Sequence, residues 1–299
     1  MTTLTTDQNE TILPPKLSRR TFLKRASLGA GVLAIGLAGY SGLIEPNVVD
    51  VTRLNLKVNR LSAAFDGFKI ALISDLHYGP YTGEHEISAA VHDANQLKPD
   101  VVFLLGDFVT ESLIGRSKDG AKKAEPCAKL LARLEAPYGS FAVLGNHDYA
   151  TNPELVAEAL TSHGITLLRN ANQVVERHGD RFWLLGLNDA MFGKAALEQA
   201  MQGVPASEPK VLLVHEPDFA DESSRYGIDV QFSGHSHGGQ IRFPGIHPLW
   251  LPPLAKKYYR GYYRVRNLQL YTNRGIGTVA LPFRFCAPPE VTLVTLRSA

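Results

Sequence analysis

The chain has 299 residues, 44% of them hydrophobic and 20% charged, with a formal net charge of +2. That is the balance of a soluble globular protein long enough for one large α/β domain with a sizeable core. Before Glu45, Lys16, Arg19, Arg20, Lys24 and Arg25 stand against Asp7 and Glu10, a net of +3 that leaves −1 for everything after it. A body without cationic excess has no footing for gripping a nucleic-acid backbone, so no nucleic-acid partner is expected.

The front is polar through about Lys16, and then runs Ser18-Arg19-Arg20-Thr21-Phe22-Leu23-Lys24. This block resembles a twin-arginine export signal, with an arginine pair, an apolar pair and a lysine. An uncharged, glycine-containing run follows from Ala26 to Ile44. A positive region before such a run is expected to be a targeting segment, with a membrane anchor as the alternative, since the run is near the lower length for spanning a bilayer. No clean A-x-A cleavage site precedes Glu45. Residues 1–44 are thus expected to be an address or anchor and 45–299 a single domain. The implied location is the periplasm or the outer face of the cytoplasmic membrane, with the twin-arginine export machinery and a membrane surface as partners.

The body then alternates strands and helices. Leu54, Leu56 and Val58 mark a first edge strand, and Phe68–Ser74 a buried one. Helical spacing follows in Ile87–Leu97, a strand in Val101–Leu105, a helix in Ala124–Leu134, a strand in Ser140–Leu144 and a helix in Pro153–His163. Strands are predicted at 165–168, 173–176, 182–187, 211–214 and 228–232, a short helix at 194–201, and a final strand pair from 268–271 and 291–296. Cys127 and Cys286 match no metal-binding pattern and are expected to be free, packed thiols. This is a layered α/β domain.

Five polar blocks directly follow apolar runs: Asp75-Leu76-His77, Gly106-Asp107, Gly145-Asn146-His147-Asp148, His215-Glu216-Pro217 and Gly234-His235-Ser236-His237. In open α/β sheets the crevice lies beyond the carboxyl ends of the strands, so such blocks converge on one rim. Imidazole nitrogen and carboxylate oxygen suit a borderline divalent ion such as Zn²⁺, Mn²⁺ or Fe. A pair of ions roughly 3.5–4 Å apart needs a shared carboxylate, which Asp107 is placed to supply. Asp75 and His77 can reach one ion, and Asn146 offers an amide oxygen to the other. Two divalent ions against two aspartates leave a cationic pocket that favours an anionic phosphoester substrate. A bound metal also pulls the pKa of water from 15.7 to about 7, which makes hydroxide available at neutral pH.

The ordered set Asp-x-His, Gly-Asp, Gly-Asn-His-Asp, His and Gly-His-x-His, spanning Ile70 to Gln240, resembles the calcineurin-like metallophosphoesterase superfamily. Gly238-Gly239-Gln240 and Asn273-Arg274-Gly275-Ile276-Gly277 look most like a bacterial branch of exported or membrane-associated members. The resemblance implies a four-layer αββα sandwich. It also implies that one ion takes Asp75, His77, Asp107 and His237 and the other takes Asp107, Asn146, His215 and His235. His147 then binds no metal but holds the phosphate and protonates the departing oxygen. Arg274 is expected either to touch the phosphate or to brace a turn.

One departure stands out. Thr110 and Glu111 occupy the places where the protein phosphatases of the superfamily carry Asp and Arg, which puts activity of that kind in doubt and leaves His147 to be oriented another way. The expected activity is hydrolysis of a phosphate mono- or diester at a dinuclear centre by metal-bound hydroxide. The alternatives are a UDP-2,3-diacylglucosamine pyrophosphatase-like hydrolase of a nucleotide-linked lipid precursor and a non-catalytic metal-binding envelope protein.

Overall fold

The computed structural model of the chain describes residues 18–110 and 118–298. Glu111 and the polar front through Lys16 lie outside the described residues. The apolar run after the arginine pair is helical: α1 (Arg19–Gly39) has 21 residues, none buried. The helical stretch Arg19–Asn47 is long and apolar enough to cross a bilayer by length and composition, a test that signal sequences also pass. Residues up to Gly39 form one compact unit and Tyr40–Ala299 another.

In the second unit the strands are, in chain order, β1 (Asp50–Val58), β2 (Lys69–Ile73), β3 (Val101–Leu104), β4 (Ser140–Ala142), β5 (Thr166–Leu167), β6 (Ala171–Arg177), β7 (Asp180–Gly186), β8 (Lys210–Leu213), β9 (Val230–Ser233), β10 (Gly261–Val265), β11 (Leu268–Thr272) and β12 (Glu290–Ser298). Among them lie α2 (Glu84–Gln96), α3 (Ala124–Leu131), α4 (Asn146–Thr151), α5 (Pro153–Ser162), α6 (Leu197–Ala200) and α7 (Ala220–Ser223). The helices begin where local chemistry allows. At α5, Asn152 Oδ1 accepts the N–H groups of Glu154 and Leu155, and Pro153 occupies the first turn, where no backbone donor is needed. Ile87, Ala90, Val91 and Ala94 of α2 are buried at helical spacing.

Two six-stranded sheets result, ordered β1-β12-β2-β3-β4-β5 and β10-β11-β9-β8-β7-β6. Leu72, Phe103 and Val143 from the first and Leu184, Leu213 and Phe232 from the second share one core between the sheets. The outer face of the first sheet is covered by α2, α3 and α5, through Ala71, Ile73, Val91, Ala128 and Val156. The outer face of the second packs Leu185, Leu212 and Leu270 against Leu197, Ala200 and Ala220 of α6 and α7. This is the αββα sandwich expected from the sequence.

Three expectations are corrected. The final strands do not pair with each other. Leu268–Thr272 lies between β10 and β9 in the second sheet, whereas Glu290–Ser298 lies between β1 and β2 in the first. Both runs are almost wholly buried and carry no alternation that fixes a partner, and the chain crosses from one sheet to the other between them. Gly261–Val265, where no strand was predicted, is the edge strand β10, antiparallel to β11. The helix predicted at 194–201 shrinks to the single turn α6. Both cysteines are free, as expected.

Candidate metal centre

Strand direction gathers the five blocks. β2, β3 and β4 are adjacent and parallel, as are β8 and β9 in the other sheet, so each run delivers its block at its carboxyl end. The loops then lock together. The Asp75 N–H donates to Gly106 O at 2.9 Å, His77 N–H to Asp107 O at 2.9 Å and Gly234 N–H to His215 O at 3.0 Å. The His235 N–H reaches both oxygens of Asp75 at 3.0 Å, and His147 N–H reaches Asp107 Oδ1 at 2.9 Å.

Those loops carry strain where the chemistry is. Asp75, His77, Asp107, His235 and His237 have φ of 49°, 47°, 57°, 70° and 50°. Each non-glycine residue so held costs about 1–3 kcal/mol, and such residues persist only where their surroundings over-determine them. Gly238 and Gly239 share this left-handed backbone, with φ of 61° and 85°.

The side chains converge in three overlapping groups whose potential ligand atoms lie within 4.8 Å of one another: Asp75, His77 and His237; His77, Asp107 and His147; and Asp107, His215 and His235. Asp107 Oδ2 stands 3.2 Å from His215 Nε2 and 3.5 Å from His77 Nε2, so one carboxylate faces both sides. His77 Nε2 and His237 Nε2 are 3.0 Å apart, and His237 Nε2 is 3.5 Å from Asp75 Oδ1. Asn146 Oδ1 is buried without a hydrogen-bond partner among the described residues. Carbonyl groups fix two tautomers. His215 Nδ1 lies 2.7 Å from Leu105 O and His235 Nε2 lies 2.8 Å from Pro253 O. A carbonyl only accepts, so those nitrogens carry hydrogens, which leaves His235 Nδ1 a lone pair and gives His215 Nε2 one once its second proton is displaced. This donor set of imidazoles, carboxylates and an amide oxygen fits a divalent metal centre.

Without a cation the cluster holds protons. Burial, with Asp107 close by, raises Asp75 to about 6. Burial alone would lower His215, but Asp107 overrides it and holds its proton well above the usual range. Burial drops His77 to about 3 and His235 to about 4, so both are neutral and free to ligate at pH 7. A metal must displace the protons on Asp75 and His215. Mn²⁺ uptake by metal-free protein is therefore expected to release protons at neutral pH and to weaken steeply as pH falls through about 6, where Asp75 keeps its proton. Calorimetric titrations across pH 5–8 in buffers of different ionisation enthalpy measure both effects.

His147 stands at the edge of the cluster, its ring edge-on to His77 at 4.7 Å between centroids. Its Nδ1 is buried without a hydrogen-bond partner among the described residues, and Thr151 Oγ1 donates to its carbonyl. The His147 backbone is held by its N–H bond to the Asp107 carboxylate. Arg274 is engaged elsewhere: its Nε donates to Glu290 at 2.8 Å and its terminal nitrogen to Asp50 at 2.6 Å. These contacts match the turn-bracing alternative.

Two contributors were not read from the sequence. The Asp148 carboxylate accepts the N–H groups of Asp107, Phe108 and Gly145, each at 2.9 Å, and of Val109 at 3.2 Å, which fixes the loop that aims Asp107. Its place beside His147 was visible, but its direction was not. Arg284 is fully buried, donates to the carbonyls of Arg274, Gly275, Gly277 and Ala287, and lies 3.3 Å from His237 Nδ1. No motif surrounds Arg284, so no signal marked it.

Gly145 is required by close approach. A Cβ there would lie 2.7 Å from the Asp107 backbone nitrogen and closer still to its carboxylate. Gly145→Ala is expected to displace Asp107, destabilise the fold by about 1–3 kcal/mol and weaken metal uptake, as thermal unfolding with and without Mn²⁺ would measure.

Comparison with known proteins agrees with this geometry. Residues 68–239 match the calcineurin-like phosphoesterase family. An uncharacterised metallophosphoesterase of Bacillus subtilis, YkuE, is 35% identical over 95% of this chain and 99% of its own. The phosphodiesterase YaeI of Escherichia coli is 31% identical over 94% and 99%. The UDP-2,3-diacylglucosamine pyrophosphatase LpxG of Chlamydia trachomatis is 29% identical over 85% and 91%. With its fold, its clustered donors and these relatives, the chain belongs to the calcineurin-like phosphoesterase family and is a hydrolase of phosphoester bonds.

Proposed function

We propose that residues 45–299 hydrolyse phosphate mono- or diesters at a dinuclear centre. One ion is held by Asp75, His77, Asp107 and His237, and the other by Asp107, Asn146, His215 and His235. The observation that carries this reading is the position of Asp107 Oδ2, within 3.5 Å of a histidine from each side. A bound pair of divalent ions supplies Lewis acidity and a water-derived nucleophile at neutral pH. The chain's own residues do the rest. Asp107 keeps the two sides in register through its bonds to the His147 backbone and to the loop braced by Asp148. His147, half-exposed at the rim, donates a proton to the departing oxygen. His77 and His235, buried and neutral at pH 7, offer ring lone pairs without first losing a proton.

Mn, Fe and Zn all suit these donors. Residues 1–44 act as a twin-arginine export signal or anchor, which sets the site at the outer face of the cytoplasmic membrane or in the periplasm. The arginine pair and the apolar α1 support that location.

Purified protein supplied with Mn²⁺ should cleave 4-nitrophenyl phosphate or its bis ester, lose activity to a chelator and regain it on Mn²⁺ addition. No hydrolysis of aryl mono- or diesters, nor of nucleotide-linked substrates, would overturn the reading in favour of a non-catalytic metal-binding protein. The likeness to LpxG supports a second reading, cleavage of a nucleotide-linked lipid precursor. That substrate class requires the body on the cytoplasmic side, so protease access in intact spheroplasts separates the two: digestion of the body supports export, and protection supports the second reading.

A further inference from the structure

An apolar groove of about 340 Å³ is lined by His237 of the candidate metal centre together with Ile241, Leu249, Trp250, Val279 and Leu281. That volume is within the range of roughly 300–1,000 Å³ typical of small-molecule sites. The walls are exposed to an unusual degree for such side chains: Leu249 is 85%, Trp250 66% and Leu281 52% accessible. Contiguous exposed apolar surface of this kind marks a place where something binds.

The groove is preformed. Gln240 brings a polar head group to its lining, but that amide is consumed. Its Nε2 donates to the carbonyls of Val279 and Leu281 at 3.0 and 3.1 Å, and its Oε1 accepts the Val279 N–H at 2.9 Å. One wall is thereby clamped to the other and the interior is left without a free hydrogen-bonding side chain from Gln240.

Backbone hydrogen bonds tie the Gln240 wall of the groove to the Phe285 segment. Gln240 O accepts the Phe285 N–H at 2.9 Å, and Arg242 N–H donates to Phe285 O at 3.0 Å. Tyr40 stacks edge-on to Phe285 at 6.5 Å, and Gly42 sits so near the Phe283 ring that a Cβ there would be 2.8 Å from it. Leu43 and Ile44 beside it are exposed.

We propose that this groove is a subsite for an alkyl chain, and that the substrate is an amphiphilic phosphoester whose phosphate lies at the metal centre while its hydrocarbon lies along Ile241, Trp250 and Leu281. The inference rests on the reading of the cluster as the hydrolytic centre. A phosphate placed at His237 leaves its substituent at the groove mouth, and only a hydrocarbon gains by entering walls of this composition.

Two measurements on the full chain with Mn²⁺ test it. In the first, alkyl 4-nitrophenyl phosphates from methyl to octyl keep the scissile bond constant. Each methylene is expected to raise kcat/KM by up to about fourfold, and the series by on the order of 10²-fold or more, mostly through KM. Leu281→Asp is expected to flatten that slope. The ratio of octyl to methyl rates within one preparation is the readout, so partial misfolding does not imitate the result.

In the second, monomeric octyl phosphate is titrated while tryptophan emission is followed. Trp250 is expected to shift to the blue, and Trp250→Phe to abolish the shift. A shift without turnover of any ester keeps the subsite and removes the hydrolytic reading. Turnover with a flat chain-length series and no shift removes the subsite and keeps the hydrolytic reading. A shift seen only with phosphatidylglycerol vesicles, and not with monomeric octyl phosphate, overturns the proposal in favour of a bilayer contact.

Discussion

Asp107→Asn is expected to lower kcat/KM by on the order of 10³-fold or more and to reduce bound Mn²⁺ from two ions per chain to one or none. The substitution is informative because asparagine is nearly the same size and its amide oxygen can still accept the His147 N–H that now lies 2.9 Å from Asp107 Oδ1. The loop brace from Asp148 reaches the Asp107 backbone and is untouched. What is lost is one negative charge and the second oxygen that faces His77 and His215. A buried site asked to hold two divalent cations with one carboxylate in place of two gives up much of its attraction in a low-dielectric setting. Metal analysis alongside steady-state rates checks both parts. Full activity with two ions retained would remove Asp107 from the shared position.

His147→Ala is expected to behave differently. Metal content should be unchanged, and activity should fall by about 10²–10⁴-fold, the usual contribution of a positioned acid. The loss should be largest for esters with an alkyl leaving group, which must depart with a proton, and smallest for 4-nitrophenyl esters, whose leaving group departs as an anion. An equal loss across leaving groups would place His147 on the phosphate and not on the departing oxygen. A fall in bound metal would make it a ligand, an outcome its closeness to His77 and Asp107 makes necessary to check.

Much of the site was legible because metal chemistry leaves local signatures. Asp75, His77, Asp107, Asn146, His215, His235 and His237 each sit just after an apolar run, and parallel strands carry such positions to a common rim whatever their order. Alternating strands and helices pointed to a layered α/β domain, and the four-layer arrangement came from the family resemblance. The sequence was silent where the answer depended on pairing over long distances. β11 and β12 are buried on both faces, so neither carries an alternating pattern to say which sheet it joins. The inward turn of Asp148 and the burial of Arg284 beneath His237 are matters of side-chain direction, which no spacing encodes. The positive φ values at five ligand candidates are likewise not readable from spacing, since Asp and His are enriched among left-handed residues but adopt that backbone only in a small minority of cases. For Arg274 the sequence left a phosphate contact and a turn brace both open, and in the structure its guanidinium meets Glu290 and Asp50.

The central claim is a dinuclear centre joined by Asp107. Its most direct test is the stoichiometry of Mn²⁺ binding to metal-free protein at pH 7.5, followed together with the rate of ester hydrolysis. The account predicts two ions per chain and activity that rises with occupancy of the second. Saturation at a single ion with full activity, or full activity with no ion bound, would contradict it.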